Sequence, residues 1–179
     1  MGLGALGAST ERGAATGLAS GCFTAGGPHP HVSLRSRPVP ETPIYVGKAV
    51  PAGARKGGFG LDVAPGTVLF SRLAEHADSI RQAENLDLAD FRCRYLVVDD
   101  IWIPLGESRL IQMFSPVWNC IIDGFGNHDP GKGHHQGQVP TWDVLHPGRA
   151  WAGKLQKSKR SADELLAAIA DFLKAQPKP

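Results

Sequence analysis

The composition of the chain changes near residue 40, and this change limits how much of the 179 residues can fold around one core. Residues 1–40 contain eight glycines and four prolines but no Trp or Tyr, and they show almost no apolar periodicity. Such a segment buries too little apolar surface to offset the entropy lost on ordering. We therefore predict that residues 1–40 are a mostly disordered or divergent N-terminal segment.

Apolar patterns after residue 40 predict both strands and helices. The run Ile44-Tyr45-Val46 predicts a short strand, and Phe91 to Val98 predicts a half-buried strand that pairs with it. Between them, Thr67 to about Ala83 has apolar residues at positions i, i+4, i+8 and i+11, which predicts an amphipathic helix. The folded part of the chain therefore mixes both kinds of element.

Two more helices are predicted toward the C-terminus. The segment "LGESRLIQMF" follows Pro104, which the first turn of a helix tolerates, and Pro116 ends it. Ser161-Ala-Asp-Glu164 has the spacing of a capping box ahead of an amphipathic run. We expect residues 41–155 to form one domain, and residues 156–179 to form a basic linker and a C-terminal helix.

Composition and charge argue against several classes of protein. The formal net charge of +2 is too small to indicate a nucleic-acid-binding protein by itself. Cys22, Cys93 and Cys120 form no CxxC motif, which argues against a disulfide framework or a zinc site. No apolar run approaches the roughly 20 residues that a membrane-spanning helix needs. We expect a cytoplasmic protein that has no membrane partner.

Polar residues on the first two helices are candidates for a phosphate or metal site. Arg72 and His76 are four residues apart, so they lie on one side of a helix, where they suit a phosphate; alternatively, both are ordinary side chains at the edge of the core. Glu107 lies on the apolar side of its helix, where a carboxylate requires a cation. That cation is either a neighbouring basic side chain or a hard divalent ion such as Mg²⁺.

Three further residues flank these helices in the sequence. Tyr45 is followed by Gly47 and Lys48, and a nearby cation such as Lys48 would have to favour the phenolate before this tyrosine could accept a proton at neutral pH. Alternatively, Tyr45 packs over the core. Asn119 follows the second helix, and without its companions it is an ordinary turn residue.

The order of these residues resembles the GIY-YIG nuclease superfamily. From Ile44 to Asn119 the chain contains Tyr-x-Gly, then Arg-x-x-x-His, then Glu-x-x-Leu-Ile-x-x-Phe-x-Pro-x-Trp-Asn. Farther on, "DGFGNHDPGKG" and "WDVLHPGRAWAG" resemble the small type II restriction endonucleases that cut CCGCGG. The resemblance covers about residues 42–155. It implies an α/β (α+β) fold with a small antiparallel three-stranded sheet flanked by helices.

The resemblance also implies a chemistry and a set of partners. The catalytic residues that it implies are Tyr45, Lys48, Arg72, His76, Glu107 and Asn119. Glu107 would hold Mg²⁺, for which Mn²⁺ substitutes, and Arg72 would balance charge on the phosphorus. The substrate would be double-stranded DNA, cut by a homodimer at a palindrome and protected by a cognate DNA methyltransferase.

One element of the family pattern is missing. The family has a second tyrosine on the strand before Tyr45, and the closest match here is Gly21-Cys22-Phe23, where phenylalanine lacks the hydroxyl. The surrounding residues lack the sequence pattern of a strand. Residues 1–40 are therefore either a divergent segment or the product of a shifted reading frame. The alternative function is a non-catalytic DNA-binding relative.

A local excess of basic residues independently favours DNA binding. Residues 131–160 contain six Lys or Arg against one acid, Asp143, which gives a local charge of +5. Arginines such as Arg149 are suited to reading guanine in the major groove. Trp142, Trp151 or the C-terminal helix are candidates for a dimer interface. The predicted DNA-binding residues are Arg55, Lys56, Lys132, His134, Arg149 and Lys154.

Two other interpretations are less favoured. The histidine-rich segment His128–Gln138 lacks companion ligands for a metal site, so a flexible loop that contacts DNA is preferred. A different metal-dependent hydrolase would use Asp99, Asp100 and Glu107, but that interpretation leaves the order of the other site residues unexplained.

Overall fold

The structure is a computed structural model that describes residues 18–25, 42–50, 68–98 and 100–176. For residues 18–25, 100 and 132 it describes the backbone only. The predicted DNA-binding residues Arg55 and Lys56, and Asp99 of the alternative hydrolase site, lie outside the described residues.

The described chain is a mixture of strands and helices, which confirms the predicted α/β class. The strands are β1 (Leu18–Ala25), β2 (Tyr45–Lys48) and β3 (Phe91–Val98). The α-helices are α1 (Val68–Gln82), α2 (Ile103–Phe114), α3 (Val117–Cys120), α4 (Thr141–Leu145) and α5 (Ala162–Ala175). Short 3₁₀ turns span Leu88–Asp90, Asp100–Trp102, Lys132–His134 and Ala152–Lys154.

The three strands form one antiparallel sheet in the order β2-β1-β3. Strand β1 pairs with β2 from Ser20 to Phe23 and with β3 along its whole length. The predicted direct pairing of the Phe91–Val98 strand with the Tyr45 strand is therefore wrong, because β1 lies between them.

The position of β1 corrects one part of the sequence interpretation, that the residues around Gly21-Cys22-Phe23 do not form a strand; the rest of the predicted N-terminal segment 1–40 lies outside the described residues. Leu18–Ala25 is a strand, and it includes Gly21-Cys22-Phe23. Its composition is poor in strand-forming residues, but hydrogen bonding along both edges supplies partners that a local composition argument does not consider. Phe23 lies opposite Tyr45, and Gly21 lies opposite Gly47.

The hydrophobic core lies where α1, β3 and the segment after α2 meet. Its buried cluster consists of Ile80, Ala83, Phe91, Trp118, Ile122, Phe125 and Trp142. Trp142 is completely buried, so the suggestion that it contributes to a dimer interface is wrong. The site described below lies at the edge of this cluster, because Tyr45 packs against it.

The two predicted helices at the C-terminal side of β3 are confirmed. Pro104 occupies the first turn of α2, and α2 ends before Pro116. Ser161 and Glu164 form the capping box of α5: Ser161 N donates to Glu164 Oε2 at 2.7 Å, and Glu164 N donates to Ser161 Oγ at 3.3 Å. Within the described residues, no helix has the length and apolar character needed to cross a membrane.

Candidate active site

Tyr45 begins β2, and its ring lies across Gly47. A Cβ atom at Gly47 would be 2.6 Å from Tyr45 Oη. Residues i and i+2 of a strand share one face, so a side chain at position 47 would compete with the phenol for the same space. The Tyr-x-Gly spacing therefore has a direct steric reason.

Asn119 fixes the outer edge of β2. Its Oδ1 accepts a hydrogen bond from Val46 N, and its Nδ2 donates to Val46 O, both at 2.8 Å. Trp118 N donates to Ile44 O at 2.9 Å, two residues before Val46 and directly before β2. Asn119 thus satisfies backbone groups that an edge strand would otherwise leave unpaired, and it positions the strand that carries Tyr45.

Arg72 of α1 reaches the phenol and the loop after α3. Its Nη2 donates to Gly126 O at 3.2 Å, and its Nη1 lies 3.0 Å from Glu75 Oε2 and 3.1 Å from His128 Nε2. It also forms a side-chain hydrogen bond with Tyr45. Arg72 Nε is one of two buried side-chain polar atoms without a hydrogen-bond partner among the described residues.

His76 lies one turn after Arg72 and is buried. Its ring stacks on Phe125 at a centroid distance of 4.7 Å and meets Tyr45 edge-on at 5.2 Å. Burial, and then the charge of Arg72, lower the pKa of His76 to about 3. His76 is therefore a neutral imidazole at neutral pH and adds no charge to the site.

The side chains of Tyr45, Arg72 and His76 converge on Gly126. A Cβ atom at this glycine would lie 2.6 Å from Arg72 Nη2, 3.1 Å from Tyr45 Oη and 3.5 Å from His76 Cε1. The absence of a side chain thus lets these three groups approach the Gly126 backbone more closely than any other residue type would allow. Sequence reasoning included Gly126 in "DGFGNHDPGKG" but did not single it out; the two glycines around Phe125 were the only local signal.

Lys48 and Glu107 form the second part of the site. Lys48 Nζ lies 2.6 Å from Glu107 Oε2, and the Glu107 side chain is 19% exposed. This ion pair is the basic neighbour that one of the two sequence interpretations gave Glu107. The negative charge of Glu107 also contributes to raising the pKa of Tyr45, after burial and the opposing effects of Arg72.

The predicted action of Lys48 on Tyr45 is wrong. Burial is the largest influence on Tyr45 and raises its pKa above the ordinary value; Arg72, by charge and by hydrogen bond, opposes this change only in part. Lys48 is not among the groups that shift this pKa, and its ammonium is paired with Glu107. Tyr45 is consequently a neutral phenol at neutral pH.

The charges of these side chains nearly cancel. Arg72 and Lys48 carry two positive charges, and their ion-pair partners Glu75 and Glu107 carry two negative charges. Among the described residues there is no group of three or more His, Cys, Asp or Glu side chains that could hold a metal ion. A divalent ion at this site would therefore depend on Glu107 together with water and substrate oxygens, an arrangement typical of Mg²⁺.

The predicted DNA-binding residues fall into different environments. Arg149 is buried, with a side chain only 1% exposed, and it pairs with Asp143, so the prediction that it reads guanine is wrong. His134 is exposed, and Lys154 is exposed with its Nζ 3.5 Å from Asp129 Oδ2. The side chain of Lys132 lies outside the described part of the chain.

Two histidines make the folded state sensitive to acid. Burial lowers the pKa of His76 to about 3 and that of His146 to about 4, whereas an unfolded histidine titrates near 6.5. The unfolded chain therefore binds protons first, so the stabilisation is complete above about pH 6.5 and decreases as the pH falls toward the folded values. We expect a loss of up to about 1.4 kcal/mol per pH unit for each histidine, which ends near pH 4 for His146 and near pH 3 for His76, measured by urea unfolding.

A His76→Phe variant tests this acid sensitivity. Phenylalanine retains an aromatic ring against Phe125 but does not titrate, so the slope of stability against pH will be shallower than in the wild type. His134→Gln, at an exposed position, is the matched control. A wild-type slope in His76→Phe would show that this residue does not cause the acid sensitivity.

Comparison with known proteins connects this geometry to a family. The family model described as the Eco29kI GIY-YIG domain matches residues 27–173, which is most of the chain. No curated protein matches the chain. The matched range begins after β1, so it does not extend to the stretch Gly21-Cys22-Phe23.

The α/β fold and the family match define a GIY-YIG nuclease. Within that class, the chain belongs to the Eco29kI family of restriction endonucleases. Membership of this family implies that the substrate is DNA.

Proposed function

We propose that this protein is a type II restriction endonuclease that uses a divalent ion to hydrolyse phosphodiester bonds in double-stranded DNA at a GC-rich palindrome, CCGCGG. One observation carries the proposal. Tyr45 Oη and Arg72 Nη2 approach Gly126, and the negative charge of Glu107 contributes to raising the pKa of the same phenol. We infer that the scissile phosphate approaches the phenol and the guanidinium beside Gly126, where no side chain intervenes.

Arg72 is the residue that would bind the scissile phosphate. Its guanidinium is fixed by Gly126 O and Glu75, so its orientation is set before substrate arrives. The Arg72 side chain is 25% exposed, so its guanidinium can form a charge-assisted hydrogen bond with a phosphate oxygen. Stabilisation of charge that develops on such an oxygen is commonly the largest single contribution to catalysis.

Glu107 is the residue that would hold Mg²⁺, with Mn²⁺ as a substitute. A partly buried single carboxylate fits a hard divalent ion that keeps several water ligands. When bound, such an ion polarises the phosphodiester and stabilises the leaving oxygen. Lys48 orients the carboxylate through the 2.6 Å contact to Oε2.

Tyr45 would position the attacking water. Because burial raises the pKa of its hydroxyl, Tyr45 is a neutral hydrogen-bonding group at neutral pH and becomes a proton acceptor only as the pH rises. His76 keeps the phenol in place by edge-on contact. Asn119 fixes the strand that carries Tyr45.

The partners follow from the same proposal. The exposed Lys154, Lys157, Lys159 and Arg160 supply positive charge for the DNA backbone. A palindromic target suits a homodimer, since one two-fold axis relates both half-sites. A restriction enzyme of this kind would act beside a DNA methyltransferase that protects the same sequence.

A non-catalytic DNA-binding relative is the second candidate, and one observation favours it. In the strand register Phe23 lies opposite Tyr45, and phenylalanine has no hydroxyl that could take a proton. If both residues of this pair must be phenols, the chain binds DNA without cutting it.

An assay with metal removal separates the two candidates. The purified protein is incubated with plasmid DNA that contains CCGCGG, with Mg²⁺, with Mn²⁺ or with EDTA, and DNA binding is measured in parallel. We expect discrete fragments with either metal and intact plasmid with EDTA. DNA binding without cleavage under all conditions would support the non-catalytic relative, and the absence of both would contradict both candidates.

A further inference from the structure

Arg149 lies in a buried aromatic site beside the loop Gly124–Asn127. The centre of its guanidinium is 4.5 Å from the centroid of the Trp142 ring and 4.7 Å from that of the Trp151 ring. Such contacts between a guanidinium and aromatic faces are favourable when water is excluded. The side chain is therefore held inside the protein, away from any DNA surface.

The guanidinium of Arg149 binds three of the four carbonyl groups in this loop. Nη1 donates to Phe125 O and to Asn127 O, each at 3.1 Å, and Nη2 donates to Gly124 O at 2.9 Å. The fourth carbonyl, Gly126 O, accepts from Arg72 Nη2 at 3.2 Å. Two arginines thus hold all four carbonyls of the loop, and one of them belongs to the proposed phosphate site.

Asp143 of α4 holds Arg149 in this orientation. Asp143 Oδ1 accepts from Arg149 Nε at 2.6 Å, and Oδ2 accepts from Nη2 at 2.5 Å. Both side chains are 1% exposed. All three guanidinium nitrogens of Arg149 therefore donate hydrogen bonds. Only arginine has this planar arrangement of donors, which can bind a carboxylate with two hydrogen bonds.

The loop that Arg149 holds forms one wall of the proposed site. Phe125 stacks on His76 at 4.7 Å and meets Tyr45 edge-on at 4.9 Å. Gly126 is the residue on which Tyr45, Arg72 and His76 converge. A shift of this loop would therefore move Phe125 and the carbonyl partner of Arg72 at the same time.

We propose that Arg149 and Asp143 are positioning residues for the nuclease site: they fix the loop Gly124–Asn127 so that Phe125 and Gly126 set the places of His76, Arg72 and Tyr45. This inference rests on the proposed function, because it concerns the same site. Neither residue touches the reacting groups, and both act through the backbone of the loop.

An Arg149→Lys variant tests the role of the carbonyl contacts. Lysine retains the positive charge opposite Asp143, but its single ammonium group cannot bind Asp143 and three carbonyls together. We expect the kcat for DNA cleavage to fall at least about 10-fold, since small displacements of a catalytic group have effects of this size or larger. The KM and the Kd for DNA will stay at their wild-type values, because Arg149 contacts no DNA.

Hydrogen exchange provides a readout that does not depend on cleavage. Asn127 N donates to Gly124 O at 3.0 Å within the loop, so release of the loop will accelerate exchange of the Asn127 amide. Arg81→Lys is the matched control, because Arg81 is an exposed arginine that also pairs with an aspartate, Asp78. It will leave kcat and exchange at Asn127 unchanged.

Each other outcome contradicts the inference. If Arg149 contacts guanine, the Arg149→Lys variant will have a higher Kd for DNA and a kcat close to that of the wild type. A purely structural role would lower the unfolding temperature but leave kcat per folded molecule unchanged. If Arg149→Lys does not fold, the double variant Arg149→Met with Asp143→Leu, which removes both buried charges, must show the same fall in kcat at unchanged Kd.

The experiment also distinguishes failure of the inference from failure of the proposed function. A wild-type protein that never cleaves DNA would contradict the nuclease function, whatever the variant does. Unchanged exchange at Asn127 in Arg149→Lys would overturn the positioning role even if the wild type is an active nuclease.

Discussion

The Gly126→Ala variant will cleave DNA at least about 100-fold more slowly than the wild type, the loss expected when a catalytic group moves by about 1 Å. The added Cβ atom would lie 2.6 Å from Arg72 Nη2 and 3.1 Å from Tyr45 Oη, so the guanidinium and the phenol must both move. Stability will change little, because the closest atom is the end of a flexible side chain. Single-turnover cleavage and thermal unfolding measure the two effects.

Gly153→Ala is the control for the added methyl group. No atom lies within 4 Å of a Cβ atom at Gly153, so this variant will cleave at the wild-type rate. A wild-type cleavage rate in Gly126→Ala would show that the reacting phosphate does not bind beside Gly126. A folded but inactive Gly126→Ala that still binds DNA would support the proposed site.

The Glu107→Gln variant will lose at least about 1000-fold in cleavage rate, since a bound metal ion contributes several kcal/mol to charge stabilisation. Glutamine has nearly the same shape, and its carbonyl oxygen still accepts a hydrogen bond from Lys48, whose Nζ lies 2.6 Å from Glu107 Oε2 in the wild type. What it loses is the negative charge that a hard divalent ion requires. Mn²⁺ binding, followed by isothermal titration calorimetry, will weaken in parallel.

Glu84→Gln, at an exposed position after α1, controls for the loss of one carboxylate. It will retain both cleavage and Mn²⁺ binding. Wild-type Mn²⁺ affinity in Glu107→Gln would contradict a metal-binding role for this residue. Loss of folding in Glu107→Gln would instead favour the simpler interpretation, in which Glu107 serves as a structural partner of Lys48.

The helices could be predicted from the sequence because their signals are local. The apolar spacing that predicts a helix from Thr67 to Ala83 corresponds to α1, and the Ser161–Glu164 capping box is present at the start of α5. Both patterns depend on residues within one or two turns of each other.

Strand β1 could not be predicted, because its stability comes from distant partners. Residues 18–25 look unsuited to a strand when they are judged by composition alone, yet they pair with both β2 and β3. The ladder that stabilises β1 joins it to residues more than sixty positions away in β3, and no local window contains that information.

Two residues of the site illustrate the same limit. Arg149 was assigned to DNA because it lies in a basic segment, but its environment depends on Asp143, two tryptophans and three backbone carbonyls. Gly126 was missed because its contribution is the absence of a side chain, which leaves no pattern of charge or hydropathy. Of the predicted residues, Tyr45, Arg72 and His76 converge on Gly126, and Lys48 pairs with Glu107 and does not shift the pKa of Tyr45.

The central place of β1 bears on where this protein can be shortened. The family match spans residues 27–173 and therefore includes both outer strands without the one that joins them. A recombinant fragment cut at those borders would contain two edges separated by the width of a missing strand. Tyr45 would then lie on a strand that has lost its β1 partner, so any fragment made for crystallisation or biochemistry should start before Leu18.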